Sequence, residues 1–497
     1  MNTNERIEKI LQHLSENMYE REHIIALTFL GALSGTNTFL LGSPGTAKSL
    51  ISRKVAQAFH KPKYFEYLMN RFSTPEEVFG PVSIKALKED KYTRKIENYL
   101  PNADFAFLDE IWKSSPAILN ALLTLVNEKI FKNGDENVHV PLKALVSASN
   151  EIPPENQGLE ALYDRFILRI IVNPIEDKDN FINLIGSKPS SSNVDIDPQL
   201  LIKEDEWKTW LDEIHEVIFS SEINNVILMI RKLISELPED QKIYVSDRRW
   251  QRAAYLLKAA AFFNGRKEVL LSEIFLLKYC LWSKEENFSK INQIIEKSIG
   301  LIGIDSGVET SSLIEQVQKL EKEITEELYY SEDIYLTYTI SGKDYFKFQF
   351  SNQDIYISID LKGQDKDFHP IDINGNEFRR YSCNFNKSGT CTIKETGYYS
   401  REEKKTPKVQ FKKGTKKSQV NARLIEALET EVDSKLHSFK KALNAVNKCN
   451  EKYKEQYDSM FITGKELTFL LQSIKKQIES LETHIQDCER LKSLCDN

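Results

Sequence analysis

Three short runs carry the residues able to act on a phosphate ester. Phe39-Leu40-Leu41-Gly42-Ser43-Pro44-Gly45-Thr46-Ala47-Lys48-Ser49 reads as an apolar strand, a glycine-bearing turn and the Lys-Ser start of a periodic helix. A polyphosphate needs backbone N–H groups free of side chains, a cation for its β/γ-phosphates and a hydroxyl for Mg²⁺, and Gly45, Lys48 and Ser49 stand in that order. Ala47 occupies the place of the second glycine in G-x-x-x-x-G-K-[ST] and adds a methyl to the turn. The plain alternative is a strand-turn-helix corner with a chance Gly-Lys-Ser. About 60 residues after Lys48, Phe105-Ala106-Phe107-Leu108-Asp109-Glu110 reads as a buried strand ending in two carboxylates. At the crevice end of a parallel sheet Asp109 would hold the Mg²⁺ shell and Glu110 would polarise an attacking water. An acidic helix N-cap ahead of Ile111-Trp112 is the bland alternative. Leu142 to Ser149 is a further apolar strand and ends at Asn150. An amide at such a tip suits a lytic water or a γ-phosphate, and capping a turn is its ordinary role.

These residues need an α/β scaffold, and the pattern supplies one. Residues 5–33 read as helical, with Ile7, Ile10, Leu11 and Leu14 on one stripe, and the turn from Tyr19 to Ile24 is placed either over a nucleotide base or in core packing. Leu50-Ile51, Val55 and Phe59 keep helical spacing up to Pro62, and Tyr64 to Leu68 reads as a strand. Pro116 to Glu128 is an amphipathic helix, followed by a hairpin-like excursion at Phe131-Lys132-Asn133-Gly134-Asp135. Residues 175–200 read as a linker, and Leu200 to about Phe288 reads as helical throughout, including Val269 to Trp282.

At 497 residues the chain exceeds one core and suggests about three domains. With 41% hydrophobic and 28% charged residues it is globular in composition, and no apolar run is long enough for a membrane span. The start, Met1 to Arg6, lacks an apolar h-region, so a cytoplasmic location is expected, with peripheral membrane association left open. A net charge of −7 argues against a wholly nucleic-acid-binding chain. Cys280, Cys383, Cys391, Cys449, Cys488 and Cys495 form no C-x-x-C pair and read as reduced thiols.

Past Gly307 a helix carries Leu313, Ile314, Val317, Leu320 and Ile324, after which the period changes to two over Tyr335–Ile340, Tyr345–Phe350 and Ile355–Ile359. Helical periodicity returns at Val420 in two long helices broken at Phe461-Ile462-Thr463-Gly464. None of these helices can bury its stripe alone, which predicts a discontinuous three-helix bundle with a small antiparallel β domain inserted. The run Arg401 to Lys417 holds eight Lys/Arg against two Glu, beside Tyr398 and Tyr399. Its expected form is a solvated hairpin or linker, and a nucleic-acid or acidic-partner patch is the alternative.

Taken together, the Gly-Ser-Pro-Gly-Thr-Ala-Lys-Ser loop, Phe-Leu-Asp-Glu, Asn150-Glu151-Ile152-Pro153, Leu159 to Phe166 with its Asp164-Arg165-Phe166, Arg71 to Pro81 and Tyr244-Val245-Ser246-Asp247-Arg248-Arg249-Trp250 resemble a MoxR-type AAA+ ATPase, the RavA branch most. The resemblance covers about residues 15–285 strongly and the remainder in layout. It implies an AAA+ core over 1–190, an α-helical lid over 191–305, a triple-helical bundle from 306–328 and 417–497, and an inserted β domain over 329–416 that docks partners. Ala47 is usual in such a loop. The resemblance implies ATP/ADP bound by Tyr19, Gly42, Pro44, Gly45, Thr46, Ala47, Lys48, Ser49 and Leu50, Mg²⁺ held through Ser49 and Asp109, and catalysis by Lys48, Asp109, Glu110 and Asn150. It implies Arg165 as an arginine finger in trans and Arg248 as the sensor-2 arginine, with the adjacent Arg249 as its rival. A surface salt bridge is the ordinary role for each arginine. The expected activity is ATP hydrolysis by a hexameric ring that remodels or matures protein complexes with a von Willebrand A-domain partner, ViaA-like, and a client enzyme on the β domain. The excursions at Lys85–Asn98 and Asn133–Asn137 would line or crown the pore. The rival readings are a DNA-stimulated AAA+ motor and a nucleotide-gated scaffold acting through the β domain.

Overall fold

The computed structural model describes residues 2–154, 158–188, 192–351, 353–362, 364, 366–386, 390–396, 401–407, 409–417 and 420–496. The tip of the expected linker (189–191), Tyr398, Tyr399, Lys408 and the side chains of Phe411, Lys412, Lys413 and Lys416 in the basic run lie outside the described residues. The chain divides into two compact units, Met1–Ser306 with Asn444–Ser480 and Gly307–Leu443 with Leu481–Asn497.

The first unit is built on strands β1 (Thr38–Leu41), β2 (Tyr64–Leu68), β3 (Phe105–Asp109), β6 (Ala144–Ser149) and β7 (Leu168–Ile171), in the order β2-β3-β6-β1-β7 and all parallel. Every residue of β1 and β6 is buried, as a parallel strand covered on both faces requires. Between β3 and β6, the hairpin β4 (Ile130–Asn133) and β5 (Glu136–His139) stands apart from this sheet. Helix α1 (Thr3–Ser15) buries the stripe Ile7, Ile10, Leu11 and Leu14, whereas α2 (Glu22–Leu33) is buried all round from Ile24 to Leu33. Helix α3 (Lys48–Ala56) follows β1, and α4 (Pro116–Glu128) precedes the hairpin. The hairpin is tied to the excursion before β3, since Arg94 N–H donates to Asn133 Oδ1 at 2.6 Å and Asn133 Nδ2 returns a bond to the Arg94 carbonyl at 3.1 Å.

Two expectations need correction. The stretch read as a linker contains helix α5 (Lys178–Gly186), because the Asp177 carboxylate caps the N–H groups of Asp179 and Asn180. The single helix expected over Val269–Trp282 is a 3₁₀ turn, Glu273–Leu277, and one α-turn, Lys278–Leu281. Fully buried Glu273 turns inward to pair with Arg266 and accepts the Leu270 N–H at 2.9 Å, which holds the chain out of a regular start. The helical region otherwise comprises α6 (Glu204–Glu216), α7 (Ser221–Ser235), α8 (Asp247–Phe263) and α9 (Glu285–Ile302). It is fastened to the sheet layer by buried polar groups. Trp207 Nε1–H donates to the last carbonyls of α2, Ala32 and Leu33. Arg169 of β7, fully buried, donates to Phe166 O (2.9 Å), Trp282 O (2.6 Å) and Tyr163 O (2.7 Å), and Trp282 Nε1–H returns a bond to Arg169 O.

In the second unit α10 (Thr310–Leu328) buries Leu313, Val317, Leu320, Ile324 and Leu328. It is joined to α11 (Ala422–Tyr453) by Lys435 to Gln316 and to α12 (Gly464–Asp496) by Arg490 to Glu321. Strands β8 (Tyr329–Tyr335) and β15 (Val409–Lys416) pair antiparallel. Between them lie the sheets β9 (Thr337–Ile340), β10 (Lys343–Phe350), β11 (Gln353–Ser358) and β12 (Tyr381–Phe385), β13 (Cys391–Glu395), β14 (Glu402–Lys405). Their inward residues, Phe346, Phe348, Phe350, Ile355, Ile357, Phe385 and Ile393 among them, make one core. Among the described residues no helix is long and apolar enough to cross a membrane.

Replacing Arg169 by Met keeps the bulk and strips three buried carbonyls of their donor, so Arg169→Met should lower the unfolding free energy by about 3 kcal/mol or more, read from the urea midpoint.

Candidate functional site

The register of the sheet sets the site. Leu41 pairs with Ser149 and Asp109 with Ala148, so the loop after β1, the carboxylates after β3 and the tip of β6 reach one edge at one level. The loop leaves β1 through Gly42, whose N–H donates to Ser149 O at 3.0 Å; a Cβ there would meet the Val172 carbonyl oxygen at 2.3 Å. Gly45 has φ +82° and nothing within 4 Å of the position a Cβ would take, which leaves its face of the loop open. Ala47 adopts φ 68°, ψ 21°, a left-handed conformation, which gives the physical reason a glycine is usual there. It caps nothing, so the first N–H groups of α3 face the loop without a side-chain acceptor. The Lys48 ammonium bridges the loop carbonyls of Gly42 (2.7 Å) and Ser43 (2.8 Å), and Thr46 Oγ1 donates to Ser43 O. Burial draws the Lys48 proton affinity down while Asp109 and Glu110 pull it back up.

Asp109 is half-buried and accepts the Glu110 N–H at 3.1 Å; burial pushes its carboxyl up, against that bond and Lys48. Glu110 sits at φ 52°, ψ 42°, a strained left-handed position for a residue with a long side chain. Its Oε2 meets Lys113 Nζ at 3.1 Å and accepts from Ser149 Oγ at 3.4 Å. Asn150 follows Ser149 and is exposed beside the loop, whereas Ser149, buried and touching Glu110, is the β6-tip residue that sequence reading passed over. These donors fit a nucleoside polyphosphate with a divalent cation: open N–H groups and an ammonium at the loop, the Ser49 hydroxyl on the first turn of α3, and the Asp109 carboxylate beside Lys48.

Behind the loop a cleft of about 320 Å³ is walled by Tyr19, Pro44, Ala47, Leu50, Ile175 and Phe181. Arg21, buried, crosses its floor from Thr46 O (3.3 Å) to Asn173 O (2.6 Å), fixing the loop to the chain after β7. Glu20 accepts from Glu176 N–H, Asp177 N–H and Asn180 Nδ2, and so hangs α5 over the cleft. The sequence hint was the Asp177 cap with Phe181 and Leu184 spaced on one helical face.

Farther from the loop, Arg249 is locked. Its guanidinium donates to Asp164 Oδ1 at 3.0 and 2.7 Å and to Ser283 Oγ at 3.0 Å, and Ser246 Oγ–H donates to Asp164 Oδ2 at 2.7 Å. Arg248 is exposed on the same helix. The Arg165 guanidinium donates to Ala161 O and keeps its Nε–H buried without a partner among the described residues; burial, then the nearby charge of Arg248, lowers its proton affinity.

A family model describing the MoxR domain in the MoxR-vWA-beta-propeller ternary systems matches residues 5–198, and one describing an AAA lid domain matches residues 222–295. Uncharacterized protein MJ0079 of Methanocaldococcus jannaschii is 36% identical over 291 residues, covering 58% of this chain and 73% of its own. The chain belongs to the MoxR family of AAA+ ATPases. A second protein of that organism, MJ0812, is 35% identical over 321 residues, covering 64% of this chain and 83% of its own. Structural protein ORF618 of Acidianus two-tailed virus is 24% identical over 315 residues, 58% of this chain and 51% of its own.

In this MoxR-family chain the left-handed Ala47 gives opposite signs for two small substitutions. Ala47→Gly should raise the unfolding free energy by roughly 0.5 kcal/mol, the relieved strain less the backbone entropy glycine loses. Ala47→Val should lower it by about 1 kcal/mol or more, because a β-branched residue fits that region worst. Urea unfolding of the nucleotide-free protein checks both.

Proposed function

We propose that the chain hydrolyses ATP to ADP and phosphate, and that the turnover drives rearrangement of a protein complex. One observation carries the reading: Lys48, Asp109 and Glu110 meet at the open edge of the sheet, where both carboxylates raise the proton affinity of Lys48 and Lys48 lowers that of Asp109. Bound Mg²⁺ would neutralise charge on the phosphates, with Ser49 and Asp109 as its holders. Lys48, released from the carbonyls of Gly42 and Ser43, would bind β/γ-oxygens, and the loop N–H groups would orient the chain of phosphates. Glu110 would take the proton of the attacking water, with Ser149 and Asn150 fixing its direction. Tyr19 and the neighbouring apolar wall of the cleft would hold the base.

Arg165 keeps its buried Nε–H without a partner among the described residues, and Arg248 presses on it from the helical lid. Both are therefore proposed to act on the nucleotide of a neighbouring copy in a hexameric ring, with Arg249 and Asp164 as the clamp that holds them together. The excursion and hairpin joined by Arg94 and Asn133 would line the pore. The second unit supports a RavA-like arrangement, in which α10, α11 and α12 form a triple-helical stalk and β8–β15 an inserted partner-docking domain. The matched family is described with a vWA protein, which supports such a partner here.

The test is ATP turnover against protein concentration, with mass from light scattering. Glu110→Gln should lower turnover by about 100-fold or more with ATP still bound, and Arg165→Ala by about 1,000-fold. Mixing the two should restore part of the rate, since each supplies what the other lacks. Normal hydrolysis by Arg165→Ala at every concentration would remove the finger from the reading.

A further inference from the structure

Lys129, the residue after α4, is costly twice over. Its backbone is left-handed (φ 55°, ψ 33°), a position that favours glycine or asparagine at a helix end. Its ammonium is buried with no hydrogen-bond partner among the described residues. Burial first, and Arg252 second, push that ammonium down to about 8. Neither cost serves the fold, since a glycine would end the helix better and a methionine would fill the space without a charge.

The surroundings give the residue a use. Arg252 lies one helical turn beyond Arg248 on α8, so the two share a face. Arg248 in turn acts on Arg165, whose Nε–H is the second buried donor here without a partner, and Glu128 is the carboxylate that acts on Arg165 with Asp164. Asp164 is already engaged by Ser246 and Arg249. Three elements, the end of α4, the turn before β7 and the start of α8, thus bring cations together with donors unused. A surface salt bridge would have used them.

We propose that Lys129 completes, with Arg165, Arg248 and Arg252, a receiving site for the polyphosphate of a nucleotide held by a neighbouring copy. This rests on the reading of Arg165 as acting in trans. A desolvated ammonium is strong toward a phosphoryl oxygen because no water competes for it, and being fixed beforehand it needs no reorganisation when charge spreads over the γ-phosphoryl group. Lys129 belongs to the reaction as a cation offered between subunits, while Lys48 serves the same nucleotide from within its own.

The experiment uses the full chain and three variants, Lys129→Met, Lys129→Arg and Arg165→Ala, each alone and mixed with Glu110→Gln. Lys129→Met is expected to lose about tenfold or more in assembly-dependent ATP turnover, with a urea midpoint equal to or above that of the parent. Lys129→Arg should keep most of the rate. Mixing Lys129→Met with Glu110→Gln should restore turnover, and mixing it with the Glu110→Gln/Lys129→Met double variant should not. Parental turnover by Lys129→Met, or a loss that tracks a lowered midpoint, overturns the proposal. Rescue of Arg165→Ala without rescue of Lys129→Met overturns this assignment alone. Rescue of neither removes the trans reading on which it stands.

Discussion

The hydrogen bonds that seat β1 between β6 and β7 are the constraint on which the rest depends. They fix Leu41 level with Ser149, and through β6 they fix Ala148 level with Asp109. A slip of one residue in either pairing would turn every side chain of the strand to the opposite face and separate the loop from the carboxylates. Continuous burial of β1 and β6 opposes such a slip, because both faces are close-packed and every side chain would have to exchange its place for one of another shape. The loop, the carboxylates and the β6 tip are therefore held level by the core beneath them.

Much of this arrangement is legible in the sequence. The strand-loop-helix run from Phe39 to Ser49 and the Asp109-Glu110 pair after an apolar strand announce both their type and their place. The parallel sheet and helical lid follow from elements whose period is unambiguous. What stayed hidden depends on partners distant in the chain. Nothing in the spacing around Arg249 says that it closes on Asp164, 85 residues away, while Arg248 is left outside. Ser149 was overshadowed by the amide next to it, although only the folded strand brings its hydroxyl to Glu110. Helix α5 was lost among polar residues because its apolar face packs on so little. Glu273 interrupts a helical pattern through a buried pair with Arg266, an interaction that periodicity does not record.

Backbone strain reaches the same site. Ala47, Glu110 and Lys129 all hold left-handed backbone that their side chains disfavour, and each lies on an element end facing the loop or the cluster of arginines. Asn17, Glu20, Lys61, Asp90 and Asn98 hold left-handed backbone as well, in turns and bends of the same unit. What sets Ala47 and Glu110 apart is that they flank Lys48 and Asp109, whose polar groups a bound phosphate would engage.

Excursion and hairpin, joined by the paired bonds of Arg94 and Asn133, lead separately into the sheet, the first by way of the turn Leu100–Asn102 into β3 and the second into β6. Gly134 leaves no room for a side chain against the Tyr92 carbonyl, so the two loops meet backbone to backbone. The two loops, tied at their tips, thus continue into neighbouring strands of the sheet. One of these strands ends in Asp109 and the other in Ser149, so a single tie between loops stands upstream of two groups of the site.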